Sequence, residues 1–230
     1  EGTDHYDFMT TFEGLSGVLE NADLSIVTLE TLVAGREKGY GNYNTTPQIL
    51  DALRAVGVNF VSLATERALD KGYDGLDITA SELTSRSIGF AGVYPDGTNT
   101  GAAMANIDGV QVAELAYTYG LSDEGRERTR DDSRGVVAMM DSQRVVRDIT
   151  QARVDGANIV VVLPHWGTKN RAQTPDTVQT MTREMAQAGA DVIFGTHPNV
   201  AQGVERLQTV RSDGLTYETV VCYSLGCLLT

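Results

Sequence analysis

Short apolar runs alternate along this chain with longer amphipathic stretches, and the alternation predicts most of its elements. The run at 24–29 (LSIVTL) reads as a buried strand behind a helix over 12–21. Residues 47–56 (PQILDALRAV) carry apolar side chains at helical spacing, with Gly57 as the stop, and 59–63 (NFVSL) is the next strand. A helix over 78–85 and a strand over 88–90 follow, then a strand over 111–117 behind an Asp108-Gly109 turn. The second half predicts a helix over 142–154, a strand over 159–163, and a helix over 177–188 ending at Gly189. Strands over 191–194 and 219–224 complete it. The segment 121–134 is the most polar stretch and reads as a mobile loop. Repeated helix–glycine–strand units of this size indicate an α/β protein with a largely buried sheet, organised as one domain over 1–230 without repeats or low-complexity linkers.

Composition narrows the function. At 230 residues, 41% hydrophobic and 21% charged, the chain can bury a sizeable core and is not disordered. No stretch approaches the roughly 20 apolar residues of a membrane-spanning helix, and no basic-then-apolar leader opens the sequence. A net charge of −13 argues against non-specific binding to nucleic acid or anionic membranes. A basic cluster at Arg126, Arg128, Arg130 and Arg134 is interleaved with acids and reads as a solvated segment. Cys222 and Cys227 fall on opposite faces of a terminal strand, so they read as buried thiols rather than a disulfide, and two cysteines cannot make a zinc cluster.

Candidate chemistry gathers where strands end, as open α/β folds require. Glu30 follows the first strand, Thr65-Glu66-Arg67 the second, His165-Trp166-Gly167 the strand over 159–163, and Thr196-His197-Pro198-Asn199 the strand over 191–194. Of three histidines, two stand at this rim, and His5 reads as a surface residue. Two imidazoles and a carboxylate suffice for one divalent ion with open positions. The alternative is that His165 and His197 only close their loops by hydrogen bonds. Trp166 serves as a pocket wall or as packing, and Asn199 offers an amide oxygen or an Asx turn. No G-x-S-x-G elbow, phosphate loop or dinucleotide fingerprint is present.

Six stretches carry a family resemblance: ADLSIVTLET (22–31), PQILDALRAVGVNFVSLATERALDKGYDGL (47–76), VAELAYTYG (112–120), VVVLPHWGT (160–168), AGADVIFGTHPNVAQGVE (188–205) and YSLG (223–226). In this order they resemble the bacterial capsule-synthesis CapA/PGA_cap family of the calcineurin-like metallophosphoesterase superfamily. The resemblance implies a four-layer α/β sandwich with metal-binding loops at one rim, and a role in making, exporting or trimming capsular poly-γ-glutamate or a related envelope polymer. It implies Glu30, His165 and His197 as ligands of a divalent metal (Mn, Fe, Zn or Mg), with His165 and His197 also catalytic. Glu66, Arg67, Trp166 and Asn199 become candidates for substrate contact. The implied partners are the capsular polymer or its synthesis and export machinery, and the implied location is extracytoplasmic, through a membrane tether outside this sequence.

Departures from the family pattern point to a degenerate site. The family's N-L-E is Thr28-Leu29-Glu30, its N-H before A-L-D is Glu66-Arg67, and its H-W-G-x-E-Y is His165-Trp166-Gly167-Thr168-Lys169-Asn170. Its H-P-H is His197-Pro198-Asn199, its G-N-F is Gly226-Cys227-Leu228, and its opening G-D motif is not in this sequence, which reads as a fragment without that motif or the anchor. A two-metal phosphoesterase needs about six or more ligands, and cations such as Arg67 and Lys169 stand where ligands are lost. Three functions are carried forward. One is a polymer-handling domain with weak or absent catalysis, another an active metal-dependent hydrolase of a phosphoester or γ-glutamyl polymer, and the last a domain whose histidines are purely structural. Asp70 is expected to organise its loop rather than to catalyse.

Overall fold

A computed structural model describes residues 6–19, 21–35, 43–98, 101–129 and 136–229. His5, Arg130 and Arg134 lie outside the described residues. The chain forms two compact units, one from Glu1–Thr98 with Leu121–Val136, the other from Asn99–Gly120 with Val137–Thr230.

The first unit is built on three short parallel strands, β1 (Ile26–Thr28), β2 (Phe60–Ser62) and β3 (Gly89–Ala91), in that spatial order. Helices α1 (Met9–Leu19), α2 (Gln48–Ala55), α3 (Gly72–Ser85) and α4 (Asp123–Arg128) belong to it. Leu50 and Leu53 of α2 and Leu76, Ala80 and Leu83 of α3 recur at helical spacing and are buried, which is how the apolar stripe becomes a core face. Helix α3 starts six residues before the helix expected at 78–85. Residues 72–77 hold two glycines and two aspartates, weak helix formers, and burial of Leu76 outweighs that preference.

The expected mobile loop at 121–134 is corrected in its described part, which contains α4. Ser122 caps this helix by accepting from Gly125 N at 2.9 Å, Asp123 and Glu124 occupy its first turn, and Arg128 pairs with Glu124 at 2.8 Å. The Ser122 hydroxyl also donates to the buried Asp70 carboxylate, and Ser122 N donates to Glu66 O at 2.8 Å. Ser122→Ala removes the cap and leaves Asp70 one donor short. A loss of about 2 kcal/mol is expected in urea denaturation, and an unchanged midpoint would show that neither bond matters.

The second unit carries a six-stranded sheet in the order β4 (Ala103–Ile107), β5 (Val110–Thr118), β6 (Ile159–His165), β7 (Val192–Phe194), β9 (Thr216–Cys222), β8 (Val204–Val210). Strands β5, β6, β7 and β9 are parallel, and β4 and β8 are antiparallel edges. Helices α5 (Ser142–Val154) and α6 (Asp176–Ala188) complete the unit. Asp141 caps α5 through Arg144 N, and Gly189 ends α6 at φ 126°, a backbone position that favours glycine. Tyr117 on β5 donates to Asp148 on α5 at 3.0 Å, tying helix to sheet. At the far end Asp191 joins Arg153 and Arg211 and accepts from Val160 N at 2.8 Å.

Both edge strands escaped the sequence pattern. The burial of β4 (AMANI) alternates but its residue types do not, and β8 (VERLQTV) is mostly exposed with charge at Glu205 and Arg206, so neither sequence shows the apolar–polar alternation of a half-buried strand. The cysteines are free thiols, but neither is fully buried as expected: Cys222, at the end of β9, is half-buried, and Cys227, past it, is exposed. Among the described residues, no helix is long and apolar enough to cross a membrane.

Candidate metal centre

Parallel strands end on the same side, so β5, β6 and β7 deliver their following residues to one rim of the second unit. His165 is the last residue of β6, in register with Thr118 of β5. The ladder continues past the strands: Thr196 N donates to Pro164 O at 2.9 Å, Trp166 N to Thr196 O at 3.1 Å, and Tyr119 N to His165 O at 3.0 Å. These bonds fix the three tips against one another.

The result is a close pair of imidazoles. His165 and His197 are 1% and 5% exposed, with ring centroids 4.8 Å apart and planes at 63°. His165 Nδ1 lies 3.1 Å from Thr196 Oγ1. For Nε2 to serve as a ligand atom, Nδ1 must carry the proton and donate to that hydroxyl. His165 Nε2 and His197 Nδ1 are both buried ring nitrogens. His197 takes a left-handed backbone, φ 96°, which costs a non-glycine residue about 1–3 kcal/mol and persists only where the surroundings hold it.

Tyr119, which the sequence reading did not single out, completes this cluster. Its ring centroid is 4.7 Å from that of His197 and 6.3 Å from that of His165. The signal that could have found it is its place just past the end of β5, the same rim position that marked the histidines.

Trp166 turns the other way. Its indole is buried and donates from Nε1 to Tyr223 O at 3.0 Å, over Gly195. Asn199 is half-buried at φ 60°, a conformation asparagine tolerates, and Pro198 O accepts from Asn170 N at 2.8 Å. Lys169 is half-buried in the turn after His165.

Within the first unit, Glu30 stands half-buried just past β1, and Glu66 and Arg67 stand past β2. Arg67 is enclosed by this unit's own groups: Asp70 at 3.1 Å, Glu66 at 3.6 Å, and the Tyr43 ring 3.8 Å beneath its guanidinium. Burial pushes the Asp70 carboxyl up, against the pull of the Ser122 hydroxyl and Arg67. Asp70 thus sits at the centre of its loop, bonded to Arg67 and to the cap of α4.

The histidine pair suits a divalent ion of the first transition row, because both rings are buried, adjacent, and can present a neutral nitrogen. Side chains gathered beyond parallel strand ends define an α/β protein with a candidate metal centre. The chain belongs to the bacterial capsule synthesis protein PGA_cap family, whose sequence profile matches residues 1–230. It is 27% identical over 184 residues to the PGA biosynthesis protein CapA of Bacillus subtilis (strain 168), covering 79% of this chain and 45% of that protein. It is 25% identical over 240 residues to the capsule biosynthesis protein CapA of Bacillus anthracis, covering 98% of this chain and 53% of that protein. The chain therefore spans about half the length of the curated relatives it matches. Among solved structures, the sulfate thiohydrolase SoxB of Thermus thermophilus aligns over 96% of this chain and 37% of its own, at TM-score 0.51 and 13% identity. The calcineurin-like phosphoesterase YfkN of Bacillus subtilis aligns over 70% and 50%, at TM-score 0.45 and 17% identity. The family and the α/β fold class expected from the sequence are borne out.

Proposed function

We propose that this chain is a CapA-type domain that handles capsular poly-γ-glutamate or a related envelope polymer outside the cytoplasm, with a metal site reduced to one divalent ion. The buried imidazole pair of His165 and His197 carries the metal part of this reading. Glu30 is assigned as the third ligand from the sequence, where it keeps the carboxylate of the family's N-L-E. The polymer assignment draws on the relatives' names and on family membership. The reduction to one ion draws on Arg67, a fixed cation committed to Glu66 and Asp70 at the position of the family's N-H.

A divalent ion supplies Lewis acidity towards an ester or amide oxygen when bound. The chain's own contribution is to hold two imidazoles rigidly, to fix the His165 tautomer through Thr196, and to exclude water from both rings. With one ion and no second cluster among the described residues, catalysis is weak or absent and the domain binds or positions its polymer. The intact histidine pair keeps an active hydrolase as the second reading.

The expected result is about one Mn²⁺ or Zn²⁺ per chain by elemental analysis after loading and desalting, falling to near zero in His165→Ala and His197→Ala. Two ions per chain would overturn the reduced site, and none would overturn the metal reading. Incubation with poly-γ-glutamate then separates the two functions: binding without shortening supports polymer handling, and release of fragments supports the hydrolase.

A further inference from the structure

Tyr119 is an aromatic residue with an unusual placement. It lies just past β5, is 49% exposed, and presses its ring against two buried imidazoles rather than into a core. Its backbone is pinned from both sides. Tyr119 N donates to His165 O, and Thr118 Oγ1 donates to Gly120 O at 2.9 Å, curling the chain around the tyrosine. The three rings form a closed set, with centroid separations of 4.7, 4.8 and 6.3 Å. Tyr119 lies nearly parallel to His165, at 19°, and tilted to His197, at 49°.

The two histidines leave different kinds of backbone. His165 leaves a regular strand and has Thr196 at Nδ1. His197 leaves a left-handed backbone, so neither a strand nor a helix template sets the direction of its side chain. A ring packed at 4.7 Å against such a residue narrows the torsions open to it. Metal ligands need this kind of support, since an imidazole free to rotate loses part of its affinity to ordering.

We propose that Tyr119 is a positioning residue for the histidine pair: its ring, not its hydroxyl, holds His165 and His197 at the spacing that lets them share one divalent ion. The inference rests on the metal reading of the pair and gives a role to a residue that the sequence reading left without one.

The test is titration of the metal-free protein with Zn²⁺ and, separately, with Co²⁺, whose visible bands report ligand geometry. Tyr119→Phe is expected to match the wild type within about twofold in Zn²⁺ affinity and to keep the Co²⁺ spectrum. Tyr119→Ala is expected to bind Zn²⁺ about 10–100-fold more weakly with altered Co²⁺ bands, the range found when support behind a ligand is removed. Tyr119→Leu, which keeps bulk without a flat ring, should fall between them. Urea midpoints of all three place any affinity loss at the site rather than in the fold. Wild-type affinity and spectrum in Tyr119→Ala would overturn the inference, as would a loss in Tyr119→Phe equal to that in Tyr119→Ala, which would assign the role to the hydroxyl. If the wild type binds no Zn²⁺, or His165→Ala binds as well as the wild type, the metal reading itself fails, and the positioning role with it.

Discussion

Gly195→Ala is expected to destabilise the second unit by about 3 kcal/mol or more, a large loss for one methyl group. Gly195 links β7 to the His197 turn, between Phe194 and Thr196. A Cβ there would fall inside the van der Waals envelopes of Tyr223 O and Trp166 Nε1, with Tyr223 C at 2.8 Å. Two of these three atoms are main chain just past β9, so they yield only if that segment moves. The third is the indole nitrogen that donates to Tyr223 O at 3.0 Å across the glycine. Moving either segment also strains the bonds from Gly195 N to Cys222 O at 2.8 Å and from Leu225 N to Gly195 O at 3.0 Å. Urea denaturation of the wild type and variant measures the loss. A midpoint shift equivalent to less than about 0.5 kcal/mol, the range of an ordinary surface change, would show that the backbone gives way freely and that the close packing has no energetic weight. Zn²⁺ affinity should fall in parallel, because Thr196 and His197 follow directly.

That glycine illustrates what the sequence could and could not disclose. His165 and His197 were legible because each directly follows an apolar run, and the end of a parallel strand is a position the pattern alone can locate. Their separation was not legible, since it depends on how β6 and β7 pair and on the left-handed turn at His197. Trp166, a candidate for substrate contact beside His165, shows the limit of adjacency. Neighbouring side chains leave extended backbone on opposite sides, and its indole is spent on Gly195 and Tyr223. Tyr119 lies past the strand read over 111–117, and its packing against both imidazoles depends on contacts that no local pattern encodes. The edge strands β4 and β8 and the capped helix α4 were hidden for a different reason. The strands pair with their chain neighbours β5 and β9 across short turns but carry little apolar alternation of their own, and α4 is tied to Asp70, 52 residues away in sequence.

The Arg67 cluster sharpens the functional question. In place of the family's N-H the chain carries Glu66-Arg67, and the guanidinium is neutralised by two carboxylates of its own unit while lying over Tyr43. A cation so engaged contributes rigidity and little net charge to its own unit.

Glu114→Leu is expected to stabilise the protein, and to do so increasingly as pH rises. Glu114 lies within β5, fully buried, in register with Ala103 of β4 and Val161 of β6. Neither carboxylate oxygen has a hydrogen-bond partner among the described residues. Burial raises its pKa from 4.5 to about 7, with the nearby amide of its own backbone a smaller opposing influence. The sign follows from linkage. Below pH 4.5 both folded and unfolded chains hold the proton, and the native state has its full stability. Between 4.5 and about 7 the unfolded chain has released the proton while the folded chain keeps it, so stability falls by about 1.4 kcal/mol per pH unit. Above pH 7 both are ionised and the penalty levels off at about 3 kcal/mol. Leucine removes the titration and fills a similar volume, so the variant should exceed the wild type by about 3 kcal/mol or more at pH 8 and by only about 1 kcal/mol at pH 4.5, where a neutral but unbonded carboxyl remains buried. The stability difference between the two proteins, followed by urea denaturation from pH 4.5 to 8, isolates this one group from every other titration. A difference that stays flat with pH would mean that Glu114 ionises normally inside the sheet, and a variant less stable than the wild type at pH 8 would mean that the carboxylate is held there by a favourable interaction.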